Sequence, residues 1–529
     1  MRLPTNEEMA ALDRRAEEEF GVPTLLLMEA AGRGVFEAAL RLASRASPRV
    51  VVVCGKGNNG GDGLVAARLM LAAGWRVSVV LVARDAEVSG DAAVNLRAAR
   101  RAGVEVINLD STAIPALGGL LASADLIVDG LFGTGFRGPA AGLAAKTIEL
   151  INSAGRPALA IDIPSGVHGD TGAVDGPAVR ATATVTMGLP KIGLLLPPGA
   201  EYAGRIWVAD VGHPRRLVDA SGVRTFLLTR QAVDQAILRR PLAAHKGNFG
   251  RVLVIAGSVG HSGAAVLAAL GAMRAGAGLV TLGVPAAIYP VVGPAVIEGM
   301  PVPLPDDQGA LAAEAAARVL EMAASADVVA CGPGLSTLLG PRAVVLGLLA
   351  ESSRPLVLDA DALNILAGLR GPWPQRQSPV ILTPHPGEMA RLLGKTVEGI
   401  QQQRIQVARA AAERFGAVVL LKGARSVVAD PSGDVVVVPT GNPAMASGGM
   451  GDVLTGAVAA FVGQGLQPAA AAGVAAYLHG LAGDLVAAAS GPAGILAGEV
   501  AAALPRALAA VRASAVEELV TPLAPAPDA

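Results

Sequence analysis

The sequence predicts two successive α/β domains, each a mostly parallel sheet covered by helices. Three observations carry this. Short β-branched runs alternate with helical stretches along the whole chain. The 529 residues exceed what a single hydrophobic core accommodates. The alternation restarts at Arg251 (RVLVIAG), after GHPRRLVDASGVRTFLLTRQAVDQ, a stretch with no glycine-loop chemistry. No internal repeat is evident, so the halves are different domains and not a duplication.

In the first half, strands are expected over 49–54, 76–82, 125–129, 158–163 and 183–187. Helices are expected near 6–20 and 24–43, then over 63–73 and 91–102. In the second half, strands are expected from 251, then at 278–284, 327–331, 355–359, 379–382 and 417–421. An edge hairpin is expected across 426–438, turning at Asp430–Gly433. The boundary falls near residue 222, the second domain runs over 223–510, and 511–529, ending TPLAPAPDA, reads as a frayed tail.

Charge is balanced, with 43 Lys+Arg against 44 Asp+Glu. That argues against a life on nucleic acid or an anionic membrane, both of which call for a basic excess. Hydrophobic residues make up 52% but aromatics only 3%, with 66 glycines. This composition suits closely packed helices and loops whose backbone touches a ligand. The N-terminus mixes charged and apolar residues without an apolar h-region, so no signal peptide is expected. The uncharged stretch from Val453 to Gly483 contains Gln464, Gln467, Pro468 and His479. It reads as two buried helices broken at Gly463–Pro468, not as a membrane span. Cys54 and Cys331 each close an apolar run without a His partner, so buried strand-end residues are expected and no metal site. A reducing cytoplasm fits.

The first constellation is GKGNNGGDG (55–63), between the strand 49–54 and a helix. Such a loop presents N–H groups at a helix N-terminus, which favours anions. Gly55, Gly57 and Gly60 satisfy G-x-G-x-x-G, a weak match by itself. Asn58, Asn59 and Asp62 add oxygen donors suited to a cation, or to a ribose and amide. Two more loops, DGLFGTGFRGP (129–139) and DIPSGVHGDTG (162–172), also follow strand ends, where open α/β sheets bind ligands.

NNGGDG, these two loops and GLPKIGLLLPPGAEYAG (188–204) together resemble the YjeF N-terminal family of NAD(P)H-hydrate epimerases. The resemblance covers residues 1–215 and implies a Rossmann-like three-layer domain. It places the substrate loop on Asn58, Asn59, Gly60, Gly61 and Asp62, and on Gly133, Thr134, Gly135, Phe136, Arg137, Gly138 and Pro139. A K⁺ site is implied at Asn59, Asp129 and Ser165, and the acid/base at Asp162. Lys56 departs from the proline common there. Epimerising a hydroxylated carbon beside a ring nitrogen needs proton shuffling and stabilisation of an iminium-like state, which a carboxylate at Asp162 supplies. The plainer alternative for Asp162 is a turn residue before Pro164.

The second constellation is GNPAMASGGMGDVLTG (441–456). Gly448, Gly449 and Gly451 would point N–H groups at a transferring phosphoryl group, with Asp452 as general base. There is no Walker A pattern. The alternative for Asp452 is a helix cap. This stretch resembles the ribokinase-like superfamily. HKGNFGRVLVIAGSVGHSGAAVLAALGAMRAGAGLVTLGVP (245–285), CGPGLS (331–336), LDADALN (358–364), LTPHPGEMARLLG (382–394) and LLKGARSVV (420–428) are similar to the NAD(P)H-hydrate dehydratases over about 230–505.

This second resemblance implies hydrate contacts at Ala264, Gly334, His385 and Asp452. It also implies nucleotide contacts at Lys422, Gly423, Ala424, Arg425, Ser426 and Gly451. Ala444 departs from the usual glycine. His385, fixed between two prolines, has a hydrogen-bonded structural role as its alternative. Asp359 and Asp361 are candidates to position Mg²⁺ through water. The implied chemistry is phosphorylation of the hydrate by ADP or ATP, then loss of phosphate to restore the dihydropyridine. NADHX and NADPHX are the implied substrates, in a homo-oligomer without nucleic-acid or membrane partners. Rival readings are a small-alcohol or vitamin-precursor kinase, a non-catalytic N-terminal binding module, and an NAD-dependent dehydrogenase.

Overall fold

The computed structural model describes residues 1–369, 373, 376, 378–516 and 518–523. The chain divides into two compact units. One is Met1–Arg224 together with the segment beginning at Glu518, and the other begins at Thr225.

The first unit is an eight-stranded parallel sheet among the described residues. Its strands are β1 (Arg49–Cys54), β2 (Arg76–Leu81), β3 (Glu105–Asn108), β4 (Leu126–Gly130), β5 (Ala158–Ile161), β6 (Ala183–Met187), β7 (Arg205–Ala209) and a C-terminal strand Val520–Pro522. From one edge the order is C-terminal strand, β7, β6, β5, β4, β1, β2, β3. Successive residues of β1 face opposite sides of the sheet. Val50, Val52 and Cys54 join one apolar cluster, and Val51 and Val53 join another. Both faces are therefore covered by helices, in three layers. Helix α1 (Asn6–Phe20) starts with a capping box. Thr5 Oγ1 accepts from Glu8 N–H (3.2 Å) and Glu8 Oε2 accepts from Thr5 N–H (2.7 Å).

Helix α2 (Thr24–Leu42) packs closely on α3 (Asn58–Ala72) through glycine. A Cβ at Gly61 would lie 2.6 Å from Met28 Sδ, and one at Gly32 2.4 Å from Val65 Cβ. Helix α3 begins at Asn58, five residues before the expected start. NNGG is thus its first turn and not a loop. Tertiary packing overrides the low helix propensity of the glycines here, because a Cβ at Gly60 would lie 2.0 Å from the Gly55 carbonyl oxygen.

The second unit carries a ten-stranded sheet. Its strands are β8 (Thr225–Leu227), β9 (Arg251–Ile255), β10 (Leu279–Pro285), β11 (Met300–Leu304), β14 (Val328–Cys331), β15 (Leu356–Leu358), β16 (Val380–Leu382), β17 (Val418–Leu421), β18 (Val427–Ala429) and β19 (Val435–Val437). A small antiparallel pair, β12 (Asp306–Asp307) and β13 (Ala310–Leu311), lies apart from it. The order is β11, β10, β9, β14, β15, β16, β17, β18, β19, β8, parallel except at β17–β18 and β18–β19. The expected edge hairpin is therefore present, but β8 covers it.

The uncharged stretch forms two helices, Met450–Gly463 and Pro468–Ser490. The second is long and apolar enough to cross a membrane, yet 78% of its apolar window is buried within the fold. Helix Ser262–Arg274 approaches helix Met450–Gly463 at backbone distance. A Cβ at Gly456 would lie 1.9 Å from the Ala268 carbonyl oxygen, and one at Gly271 2.1 Å from that of Val453. Both cysteines are fully buried at strand ends, and burial raises their thiol pKa values, that of Cys331 to about 12.

Several elements depart from expectation. Strands β3, β7, β8 and β11 were not anticipated. β3 and β11 are partly exposed edge strands whose short runs, EVIN and MPVPL, lack a buried apolar signature. The stretch 511–529 is not simply a tail. The helix Ala497–Arg512 runs into it, and Val520–Pro522 pairs with Ile206–Val208 as an edge strand of the first sheet. That pairing uses backbone groups and leaves little trace in the sequence.

The Gly456 packing gives a first prediction. Gly456→Ala should destabilise the second unit by roughly 1–3 kcal/mol, because backbone faces the added methyl and cannot rotate away. A urea melt should show the loss as a lower midpoint at unchanged slope.

Candidate active sites

In the first sheet β1 is flanked by β2 and β4, so the strand order reverses between β1 and β4. Open α/β sheets bind ligands in such a crevice, outside the carboxyl ends of the strands. A cleft of about 1340 Å³ lies there, lined among others by Asn58, Asn59, Asp62, Gly133, Thr134, Gly135, Phe136, Arg137, Asp162 and Lys191. Helix α3 opens into it with Gly57 as N-cap and no side-chain cap, leaving first-turn N–H groups for an anion. The loop after β4 folds on itself. Phe132 and Phe136 stack at 4.7 Å, and Arg137 Nη1 donates to the carbonyls of Thr134 and Phe136 (both 2.8 Å).

Asp162 follows β5 in a left-handed conformation (φ 65°) that side chains rarely adopt. Its N–H donates to Val185 O (2.7 Å), and its Oδ1 accepts from Lys191 Nζ (2.5 Å), Thr186 Oγ1 (3.1 Å) and Met187 N–H (3.2 Å). Lys191 is fully buried and also donates to the Met187 carbonyl (2.9 Å). Among the described residues Oδ2 accepts no hydrogen bond, and Asp162 lines the cleft. Burial, reinforced by Asp162 and Asp13, holds the Asp62 carboxyl well above the usual carboxylate range.

Asp129 and Ser165 sit behind the cleft, fully buried. Asp129 Oδ1 accepts from Ser165 Oγ (2.6 Å) and Oδ2 from Ser165 N–H (2.8 Å). Ser165 Oγ in turn accepts from Phe132 N–H (2.8 Å), and Asn59 Nδ2 donates to Phe132 O (2.8 Å). Burial raises the Asp129 carboxyl to about 6 against the opposing pull of the Ser165 hydrogen bonds.

In the second sheet the order reverses between β9 and β14. The loops after these strands meet there. A Cβ at Gly334 would lie 3.0 Å from Ala264 Cβ, and Ser258 Oγ donates to the Gly334 carbonyl (2.8 Å). Nearby strand ends supply charge. Lys422 after β17 donates to Asp359 Oδ1 (2.7 Å), and Thr455 donates to Asp359 Oδ2 (2.6 Å). Gly451 lies over this pair, since a Cβ there would stand 3.2 Å from Lys422 Nζ. Helix Met450–Gly463 begins at the N-cap Gly449 (φ 88°) without a side-chain cap, with Asp452 in its first turn. Burial first, then Asp359, pushes the Asp452 carboxyl up to about 7.

His385 does act as a helix cap, the structural alternative. Its Nδ1 accepts from Gly387 N–H (2.9 Å) and Glu388 N–H (3.3 Å), which puts the ring proton on Nε2. Burial, then Lys422 and Arg391, lower its pKa, so it is neutral at pH 7.

The structure brings most expected residues together within each unit. Gly60 and Gly61 are buried packing positions, and Gly138 and Pro139 do not line the cleft. Asp361 is committed to Ser336 N–H (2.8 Å) and Asn364 Nδ2 (3.1 Å), and both Asp359 oxygens are taken as above. Arg425 bends the loop after β17 at φ 56° and donates to the Pro439 carbonyl. Ala444 is accommodated, its N–H donating to Asn442 Oδ1 (3.0 Å).

Sequence reasoning missed three residues. Lys191 sits in a quoted motif, GLPKIGL, where an isolated lysine between apolar residues was the available signal. Asp13 on α1 bonds His213 (2.8 Å) at the cleft rim. Arg404, buried at the first position of the helix Arg404–Phe415, donates to the carbonyls of Leu421 and Lys422 (both 3.2 Å), and its sequence context gave no signal.

Residues 252–506 match the family described as NAD(P)H-hydrate dehydratase, and residues 24–193 that described as YjeF-related protein N-terminus. The bifunctional NAD(P)H-hydrate repair enzyme of Moorella thermoacetica is 46% identical over 509 residues, covering 96% of each chain. The chain belongs to the bifunctional NAD(P)H-hydrate repair enzymes. A second member of that family, from Thermofilum pendens, is 40% identical over 515 residues, covering 97% of each chain. The crystal structure of the ADP/ATP-dependent NAD(P)H-hydrate dehydratase of Bacillus subtilis is 34% identical, with a TM-score of 0.48, over 54% of this chain and 98% of that one.

Two predictions follow from these geometries. Lys191→Met leaves the Asp162 carboxylate buried without its cation and should cost roughly 3–5 kcal/mol in the first unit, measured by denaturant unfolding. In the second unit a base must be ionised to act, so kcat/KM for dehydration should rise with pH through about 7 and then level. Asp452→Asn should lower kcat by roughly 10²–10⁴ and remove that limb.

Proposed function

We propose that the first unit interconverts the R and S epimers of NADHX and NADPHX, and that the second unit dehydrates the S epimer to NAD(P)H with ADP or ATP. Membership of the family supplies the substrate class. The observation that carries the assignment to these residues is the pairing, in each unit, of an uncapped glycine-rich helix N-terminus with a buried carboxyl at the strand ends. In the second unit Asp452 takes the proton from the hydrate hydroxyl as that oxygen attacks the terminal phosphorus. The N–H groups of the first helical turn stabilise the charge spread over the phosphoryl oxygens. Phosphate then departs from the ring carbon in place of hydroxide, a poor leaving group, and loss of a neighbouring proton restores the double bond. His385, neutral and capped, contacts the hydrate without exchanging a proton.

The residues of the first unit fit a monovalent cation. Asp129 is a fully buried carboxylate with no Lys, Arg or His in ion-pair distance among the described residues, and Asn59 and Ser165 lie in the same hydrogen-bonded network. K⁺ held by Asn59, Asp129 and Ser165 would supply the missing countercharge and brace the loop after β4. No residue is assigned to Mg²⁺, which would arrive on the nucleotide phosphates. A cytoplasmic homo-oligomer completes the proposal.

The test follows absorbance at 340 nm on a mixture of both epimers with Mg²⁺, K⁺ and ADP or ATP. Full recovery of NAD(P)H is expected from the wild type, and Asp162→Asn should stop near the share of the S epimer. An absence of nucleotide-dependent recovery, or phosphate retained on an organic product, would overturn the assignment in favour of a small-alcohol kinase.

A further inference from the structure

The first unit holds a second carboxyl in the same cleft that the assignment above leaves without chemistry. Asp62 lies one turn into α3 and is 9% exposed. Its side chain makes no hydrogen bond or ion pair among the described residues. Its helix packs on β5 at the residue before Asp162. A Cβ at Gly63 would lie 3.5 Å from Ile161 Cδ1. The two carboxyls also arrive from different elements. Asp62 follows β1 and Asp162 follows β5, the two strands on either side of β4. Both line the cleft.

Their surroundings push the two apart in charge. Asp162 is ion-paired with a buried ammonium at 2.5 Å. Asp62 has no such partner. The groups that face it are Asp162 after β5, Asp13 on α1, the Cys54 thiol on β1 and, opposing them, Lys191 after β6. Burial comes first among the causes that hold its carboxyl above the usual range. Two carboxyls in one cleft, one ion-paired to a buried ammonium and one held toward its neutral form by burial, are the arrangement that acid–base chemistry requires.

We infer that Asp62 is the second catalytic residue of the epimerase unit, a general acid working against the Asp162 carboxylate. The inference rests on the epimerase reading of this cleft. The Asp62 proton passes to the ring hydroxyl, the C–O bond breaks with its electron pair leaving as water, and the ring nitrogen lone pair forms the C=N⁺ bond. Water then adds to the other face of the same carbon, forming the new C–O bond and giving its proton to Asp162. One turnover leaves Asp62 ionised and Asp162 protonated, the complementary state that serves the opposite epimer. No oxidant or further reactant is consumed.

The experiment uses the full chain without nucleotide, so that dehydration is idle, and purified R-NADHX, with the epimer ratio read by chromatography. Asp62→Asn should lower kcat by roughly 10²–10⁴ with KM within about threefold, and should abolish the fall in rate at alkaline pH that titration of a required acid gives the wild type. Asp62→Glu should restore part of the rate and the alkaline limb. An Asp62→Asn enzyme within about fivefold of wild type would overturn the inference. So would an inactive Asp62→Glu enzyme that melts, like Asp62→Asn, well below wild type, since Asp62 would then be structural. If the wild type itself does not interconvert the epimers, the epimerase reading falls and this inference with it.

Discussion

Each unit places a buried lysine–aspartate ion pair at the carboxyl edge of its sheet, and the chemistry is arranged around it. In the first unit Lys191 meets Asp162 at 2.5 Å, and in the second Lys422 meets Asp359 at 2.7 Å. Removing two charges from water is expensive, and the pair recovers the cost only with good geometry and further hydrogen bonds. Those bonds are present. Thr186, Met187 N–H and the Met187 carbonyl complete the first pair, and Thr455 the second, where Glu388 adds a longer ion-pair contact to Lys422 (3.8 Å). Burial first, and then the aspartate of each pair, holds a neighbouring carboxyl toward its neutral form. Asp62 and Asp452 both lie in fields where ionisation is disfavoured, the first beside Asp162 and the second beside Asp359.

Glycine makes this crowding possible. The helices that open at the sites lie against neighbouring backbone with no room for a Cβ, as at Gly60 over Gly55 and Gly456 over Ala268. Glycine also stands at both N-caps, Gly57 and Gly449, and leaves the first-turn N–H groups without a side-chain cap. A serine or aspartate at either N-cap would satisfy those groups internally and stabilise the helix by about 1 kcal/mol, at the expense of the anion site.

Much of the fold was legible because the inner strands are buried on both faces. Runs such as RVVVVC and RVLVI can be little else when flanked by glycine loops and helical stretches. The edges were not legible. β3, β11 and Val520–Pro522 are held by backbone pairing, which carries no side-chain signature. The start of α3 was misplaced for a related reason. NNGG has poor helix propensity, and only contact with Gly55 and Met28 fixes it as a first turn.

The sequence by itself determined the two-domain α/β plan, the position of the glycine-rich turns at strand ends, and the family, because these depend on local periodicity and on contiguous motifs. It also named Asp162 and Asp452. Tertiary structure alone decided which charges meet. Lys191 lies 29 residues from Asp162, and Asp359 lies 63 residues from Lys422. Pairing at such separations is set by strand order, and the protonation state of a carboxyl by how much water the packing leaves around it.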